Sequence, residues 1–323
     1  MLSDNFGRKF YYLRLSITDV CNFKCNYCLP DGYQCDTDRD FLSLSEIKRI
    51  AKAFAELGTE KIRITGGEPS LRKDLPEIIR ALKQTPGIKH VAITTNGYKL
   101  PEHLPAWLDA GIDSINISID SFDPRQFHSI TGHNKLEHIL KGIDSAMLDG
   151  RATLKVNTVL MREFNGFELN NFQQWVKDKP VSLRFIELME TGDNKDFFKK
   201  QHVSGESIKQ RLVNQGWLPA IRDKAAGPAQ EFFHPDSLGK IGLIMPYSKD
   251  FCASCNRLRI SSLGKLHLCL FGEQGLPLKD YLQSDDLTPL KQQVVALLAD
   301  KKETHYLQEN LTGATKHLAM LGG

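Results

Sequence analysis

Through the first 190 residues, short apolar runs alternate with longer stretches whose apolar residues recur every three or four positions. The short runs predict strands at Tyr12–Ser16, Lys61–Thr65, 90–94, 114–119, 154–160 and 182–186. The first helix opens on a capping box, Ser43-x-x-Glu46. It carries the stripe Ile47, Ile50, Ala51, Phe54 and Leu57 and stops at Gly58. Further helices are expected at Leu75–Lys83, 104–110, 136–148 and Leu169–Lys177. Repeated strand–helix units imply a parallel sheet with right-handed crossovers. Six strands fall short of a closed eightfold barrel, so a partial (β/α)6 parallel barrel is expected over residues 1–190.

From residue 191 the pattern changes. Residues 191–200 are polar and charged, and 217–237 are rich in Pro, Gly and Ala. Arg257–Ile260 and 265–270 alternate polar and apolar around Ser262-Leu263-Gly264, which is a hairpin pattern. Residues 276–307 read as helical. Together they predict a smaller C-terminal α+β domain, 191–323.

Cations interrupt the predicted strands: Arg14, Lys61, Arg63, Lys155 and Arg184. Lys61 and Arg63 are two apart and share a face, as do Lys155 and Asn157. In a helix-covered parallel sheet neither face is wet, and an unpaired buried cation is costly. These side chains therefore meet a polyanion inside the barrel or pair with structural carboxylates. Few carboxylates share the strands, which favours the polyanion. A triphosphate, at roughly −4, suits several Arg and Lys.

Composition bounds the partners. Net charge is +3 over 323 residues, too weak to argue for nucleic acid or an anionic membrane. No apolar run approaches a membrane span, and Met1–Lys9 lacks the apolar centre of a signal peptide, so the cytoplasm is the expected compartment. There cysteines are expected as metal ligands rather than disulfides, and seven are present, of which Cys35 is read as an incidental thiol. The other six form two groups of three.

Cys21, Cys25 and Cys28 follow the first strand at C-x3-C-x2-C spacing. Three thiolates on one loop hold a cubane iron–sulfur cluster incompletely and leave one iron open. The alternative is a zinc knuckle, which wants a fourth ligand that the nearby sequence does not offer. The second group, Cys252, Cys255 and Cys269, is spaced C-x2-C-x13-C. A zinc site completed by His267 is one reading, and a second open cluster is the other. Arg257 and Arg259 share a hairpin face beside it. Cys35 belongs to neither group. At the predicted strand ends stand Gly66-Gly67-Glu68-Pro69, Thr94-Thr95-Asn96-Gly97, Ser118 with Asp120, and Glu187 with Met189. Glu68 is placed to accept from a ligand ammonium.

The first loop, with Tyr27 before its last cysteine and Gly66-Gly67-Glu68-Pro69 after the next strand, resembles the radical S-adenosylmethionine (SAM) superfamily. Further motifs occur in order: Arg14-Leu15-Ser16-x-Thr18-Asp19-x-Cys21-Asn22, Thr94-Thr95-Asn96-Gly97, Cys252-x2-Cys255-Asn256-Arg257-x-Arg259 and a terminal Gly322-Gly323. The set resembles the molybdenum cofactor biosynthesis protein A family, the GTP 3′,8-cyclases, over the whole chain.

That resemblance implies a barrel of radical SAM type and two [4Fe-4S] clusters, on Cys21, Cys25 and Cys28 and on Cys252, Cys255 and Cys269. It implies SAM contacts at Tyr27, Gly67, Ser118 and Met189. GTP contacts would come from Arg14, Lys61, Arg63, Thr94, Lys155, Arg184, Arg257, Leu258 and Arg259, with Arg14, Arg257 and Arg259 nearest the chemistry. The implied reaction is reductive SAM cleavage, removal of the ribose 3′ hydrogen of GTP by a 5′-deoxyadenosyl radical, and closure onto guanine C8. The product would be (8S)-3′,8-cyclo-7,8-dihydroguanosine 5′-triphosphate, early in molybdenum cofactor biosynthesis. An external one-electron donor and a transient contact with cyclic pyranopterin monophosphate synthase are implied, in a monomer or homodimer. Gly322 and Gly323 are expected to reach the cavity. A peptide-modifying radical SAM enzyme and a non-enzymatic metal-binding protein remain alternatives at this level, and the in-strand cations weigh against the first.

Overall fold

The computed structural model describes residues 1–34, 39–221, 226–272, 275–309, 311–315 and 318–321. Strands β1 (Tyr12–Ser16), β2 (Lys61–Thr65), β3 (His90–Thr95), β4 (Ser114–Ser118), β5 (Thr153–Leu160) and β6 (Ser182–Glu187) form the middle of the sheet. They alternate with α1 (Leu44–Glu56), α2 (Leu75–Lys83), α3 (Leu100–Asp109), α4 (Pro124–Thr131), α5 (Leu136–Asp149) and α6 (Leu169–Lys177). The capping box of α1 is made on both sides: Ser43 Oγ accepts from Glu46 N, and Ser43 N donates to the Glu46 carboxylate at 2.8 Å. Helix α4 was not expected. Its marks are Asp123, whose side chain caps Arg125 and Gln126, then Pro124, and Gly132 closing it at φ 74°.

Beyond residue 190 come α7 (Lys195–Gln201), α8 (Gly205–Asn214), β7 (Leu218–Pro219), β8 (Gln230–Phe233), β9 (Lys240–Ile244), β10 (Arg257–Ile260), β11 (Lys265–His267), β12 (Leu276–Pro277) and α9 (Thr288–Leu298). The sheet order is β12-β11-β10-β1-β2-β3-β4-β5-β6-β9-β8-β7. β10 adds parallel to β1, and β9 adds parallel to β6. The parallel run of the partial barrel is thus extended at both edges and ends in antiparallel hairpins, without closing. Residues 276–307 are α-helical only over α9, with a 3-10 turn at Lys279–Leu282, because Leu276–Pro277 pairs with β11 and Pro289 suits the first turn of a helix.

Leu13, Leu15, Ile62, Ile64, Leu183 and Leu258 face the helices and join one large apolar core. The alternate residues of the same strands face inward, and they are the charged ones. Burial of both faces explains why β2 is buried along its whole length although it carries Lys61 and Arg63. Among the described residues no helix is long and apolar enough to cross a membrane.

Candidate active site

The first cysteine loop leaves β1 at the C-terminal edge of the parallel strands. Cys28 N and Leu29 N both donate to Cys25 O at 2.9 Å, which folds Cys25 and Cys28 into one turn. The loop is pinned to the end of α4 by Lys24 N to Thr131 O, 3.1 Å, and Asn26 N to Ile130 O, 3.0 Å. His133 stacks on Phe23 with ring centroids 4.5 Å apart and bonds Asn22 O at 2.7 Å. Gly66 and Gly67 lie against Thr18–Val20. A Cβ on Gly67 would stand 2.4 Å from the carbonyl oxygens of Asp19 and Val20. The glycines are needed for this close approach of the chain to itself, with Gly67 N bonded to Thr18 O at 2.8 Å.

Glu68 is 1% exposed and accepts from Ser70 N at 2.9 Å, Thr95 Oγ1 at 2.7 Å and Asn96 N at 2.6 Å. It ties the glycine turn to the end of β3. Tyr27 donates to Asp120 at 3.0 Å, and Asp120 also accepts from Val159 N at 2.8 Å. Burial raises Asp120 to about 6. Burial likewise lifts Cys21 to about 11, Cys28 to about 12, and Cys25 well above the ordinary thiol range, with Asp120 adding to the last. Ser118, half-buried, ends β4.

Strand register aligns the inward cations in rows. Arg259, Arg14 and Arg63 stand side by side on β10, β1 and β2. Arg257, Tyr12, Lys61 and His90 form the next row toward the strand starts. Thr94, Asn116 and Lys155 align on β3, β4 and β5, and Ser118, Asn157 and Arg184 on β4, β5 and β6. Gly242, beside Arg184 on β9, leaves room for its stem: a Cβ there would meet Arg184 Cγ at 3.0 Å.

This crowding shows in the ionisations. Burial, then Arg259, pulls Arg14 well below its ordinary value. Burial, then Arg184, Lys61 and Arg63, brings Lys155 down to about 7. Burial and Lys61 take His90 to about 4. Burial alone would raise Tyr12, but Arg63, Arg14, Lys61 and Arg257 outweigh it and bring the phenol to about 8. The Nε atoms of Arg63, Arg184 and Arg259 and Oδ1 of Asn157 are buried without a hydrogen-bond partner. The three guanidinium donors fit a bound anion, and the amide oxygen fits a ligand hydroxyl or N–H beside it.

The structure departs from expectation at two of these positions. Arg184 has a carboxylate partner, Glu231 on β8, at 2.5 Å. The polyanion reading therefore does not apply to it unshared. Leu258 is 1% exposed and packs in the apolar core, because residues alternate along β10 and Arg257 and Arg259 take the inner face. Its side chain cannot reach a ligand among those cations.

Cys252 and Cys255 share a turn, with Cys255 N donating to Cys252 O at 3.0 Å, and Cys269 follows β11. Burial raises Cys255, but Arg257 and Lys301 outweigh it, and the thiol falls to about 7. Burial and Arg259 hold His267 at about 4. Among the described residues no three His, Cys, Asp or Glu side chains converge tightly enough to grip one metal ion. A four-iron cluster takes its thiolates farther apart than a single ion does. Both cysteine groups meet a small apolar cluster of Leu270, Phe271, Leu307, Leu318 and Leu321, against which Tyr27, Cys28, Met189 and Cys269 pack. Ala319 N donates to Cys28.

Two cavities adjoin here. One of about 810 Å³ is lined at the strand starts by Lys61, Arg63, His90, Lys155, Arg184 and Glu231. A smaller one of about 120 Å³ is lined by Arg14, Thr94, Met189, Arg257, Arg259 and all three cysteines of the second group. Arg63, Arg184, Gly227 and Pro228 line both. Sequence reasoning missed Glu231 and His305, which also line these cavities; neither sits in a motif or a predicted strand. Cys35, Gly322 and Gly323 lie outside the described residues.

The profile of the radical SAM superfamily matches residues 15–176, and that of molybdenum cofactor synthesis C matches residues 181–307. A curated protein named GTP 3′,8-cyclase from Pectobacterium atrosepticum is 57% identical over all of this chain and 99% of its own length. Another of that name, from Psychromonas ingrahamii, is 57% identical over all of this chain and 95% of its own. The chain belongs to the GTP 3′,8-cyclase family of radical SAM proteins. Among solved structures, Streptococcus suis SuiB bound to S-adenosylmethionine superposes with a TM-score of 0.59 at 14% identity, over 90% of this chain and 69% of that one. SuiB bound to its precursor peptide SuiA gives 0.58 at 14% identity, over 98% and 77%. At that identity the likeness is one of fold alone. Membership brings with it SAM, an iron–sulfur cluster and the lyase-type cyclisation for which the family is named.

Proposed function

We propose that this chain cyclises GTP, holding it along the inward cation rows with SAM at the first cysteine loop. One observation carries the reading: the lysine-lined cavity at the strand starts and the arginine-lined cavity at the second cysteine group adjoin, with Arg63 and Arg184 lining both, so one extended anion would meet both sets of cations. A triphosphate suits the strand starts, where Lys61, Arg63 and Lys155 lie. The base then reaches inward toward Arg257 and Arg259.

Cys21, Cys25 and Cys28 would hold a [4Fe-4S] cluster with one iron open to SAM. Their acidic neighbours fit a cofactor that carries a sulfonium and an ammonium: Asp120 acts on Cys25 and Glu68 on Cys21. When bound, SAM and a reduced cluster supply the 5′-deoxyadenosyl radical that takes the ribose 3′ hydrogen. Tyr27, Gly67, Ser118 and Met189 would line the SAM side. Arg14, Thr94 and Arg184 would fix the ribose and phosphates from the strands, and the apolar cluster around Leu270 and Phe271 keeps water out. Cys252, Cys255 and Cys269 would hold a second [4Fe-4S] cluster facing the guanine. Residues 1–190 thus supply radical formation, and 191–323 the base end of the substrate site. A one-electron donor and hand-over of the product to cyclic pyranopterin monophosphate synthase complete the scheme.

The test is anaerobic reconstitution. About eight irons and eight sulfides per chain are expected for two cubanes. With GTP, SAM and a reductant, the cyclised nucleotide and 5′-deoxyadenosine should form together. Iron for one cluster, or 5′-deoxyadenosine without any cyclised GTP, would reject the reading.

A further inference from the structure

The segment after α9 carries a buried cation that the reading above does not use. Lys301 is 5% exposed. Its ammonium donates to Leu268 O, one residue before Cys269, and lies 5.4 Å above the Phe10 ring. Among the described residues it has no carboxylate partner. A buried ammonium without a counter-charge is costly. The carbonyl it bonds belongs to the residue before Cys269, so the ammonium stands beside the second cysteine group.

The segment is held in place for this. Arg8, paired with Asp4 at 2.6 Å, donates to the carbonyls of Lys302 at 2.7 Å, Glu303 at 2.5 Å and Cys252 at 3.2 Å. One arginine therefore locks the residues after Lys301 to the second cysteine turn. Tyr306 completes the segment at φ 56°, a strained value for a non-glycine residue. Arg257 also faces Cys255, but it fronts the substrate cavity, where an anion competes for it. Lys301 does not line that cavity.

We propose that Lys301 is a positioning residue of the second iron–sulfur centre: its ammonium is the fixed counter-charge of the Cys252–Cys255–Cys269 thiolates and sets how readily the cluster there accepts an electron. This rests on the assignment of that cluster in the preceding section. A fixed positive charge favours the more negative, reduced state, so its removal makes reduction harder.

The experiment compares Lys301→Met and Lys301→Arg holoenzymes with the wild type, by iron and sulfide content and by potentiometric titration followed by electron paramagnetic resonance. In Lys301→Met the reduced-to-oxidised ratio of the second cluster at a fixed potential should fall about tenfold or more. The first cluster should titrate as in the wild type, and Lys301→Arg should restore the second. Loss of the second cluster from Lys301→Met but not from Lys301→Arg would also support the counter-charge. An unchanged midpoint in Lys301→Met, or equal loss in both variants, overturns it. A wild-type holoenzyme with iron for one cluster overturns the cluster assignment instead, and is seen before any variant is made.

Discussion

The two cysteine groups present the same three thiols in opposite electrostatic surroundings. Around Cys21, Cys25 and Cys28 the nearby side-chain charges are acidic: Glu68 and Asp120 join burial in holding these thiols protonated. Around Cys255 they are basic, and Arg257 and Lys301 bring the thiol to about 7. The difference matches what each is read to meet. A cationic cofactor suits an acidic pocket, and a triphosphate with its purine suits a basic one. The groups are alike in donors and unlike in neighbours, and in the proposed scheme it is the neighbours that would divide the labour.

The largest effects should separate the groups outright. Cys25→Ala should abolish SAM cleavage, because a cluster held by two thiolates cannot present an open iron in place. Cys255→Ala should leave uncoupled cleavage to 5′-deoxyadenosine and give no cyclised nucleotide. Both products are measured together by chromatography, and full cyclisation by the Cys255 variant would erase the contrast.

Next come the cations. A hydrogen bond to a charged group contributes about 1.5–3 kcal/mol. Arg63→Ala or Lys155→Ala should therefore weaken GTP by about 10- to 150-fold while SAM affinity barely moves. Calorimetric titration would read both, and unchanged GTP binding in both variants would return these cations to structural roles.

Lys155 adds a pH dependence. Burial and its cationic neighbours put it at about 7, below the ordinary lysine value. It is charged below that pH and neutral above, and the phosphates need it charged. GTP affinity should thus decline above pH 7, by up to about tenfold per unit until another group takes over, as expected for uptake of one proton. Lys155→Ala should lack this limb, and the same slope in the variant would assign it elsewhere. Arg259→Ala tests the base end. If Arg259 helps to read guanine, the gap between GTP and ATP binding should narrow, whereas an equal loss for both would place it on the phosphates.

Much of this is legible in the sequence. The six strand–helix units follow from spacing, because each unit buries a local apolar stripe. The cations of β1, β2, β5 and β6 stood out because charge inside a buried strand demands an explanation. What stayed hidden depends on pairing distant in sequence. β9 reads as an ordinary apolar run within a polar region, and nothing local says that it joins β6 while β10 joins β1 on the far side. Lys301 looks like one charge in a surface run, Lys301-Lys302-Glu303, until Leu268 is seen beside it. Gly66-Gly67 is legible as a motif after a strand, but that the glycines are packed against the chain's own backbone at Thr18–Val20 is not.

The smallest expected effect lies where that hidden pairing divides a cation between two partners. Arg184 donates to Glu231 at 2.5 Å, and Glu231 also accepts from Ser182 at 3.0 Å. Burial pushes the Glu231 carboxyl up, but Arg184 and its hydrogen bonds outweigh this, so it stays ionised. A phosphate approaching Arg184 must share it with a carboxylate already in place, and it meets that negative charge on the wall of its own cavity. Arg184→Ala should therefore weaken GTP less than Arg63→Ala, by about tenfold or below at the lower end of the charged-bond range. Glu231→Gln keeps the hydrogen bond and removes the repulsion, so it should tighten GTP by a few-fold at most, as partly exposed charges interact weakly. The ratio of the two variants' dissociation constants, measured at one ionic strength, decides the matter. If Arg184→Ala costs as much as Arg63→Ala and Glu231→Gln loosens GTP, Glu231 is holding Arg184 in its productive pose rather than competing for it.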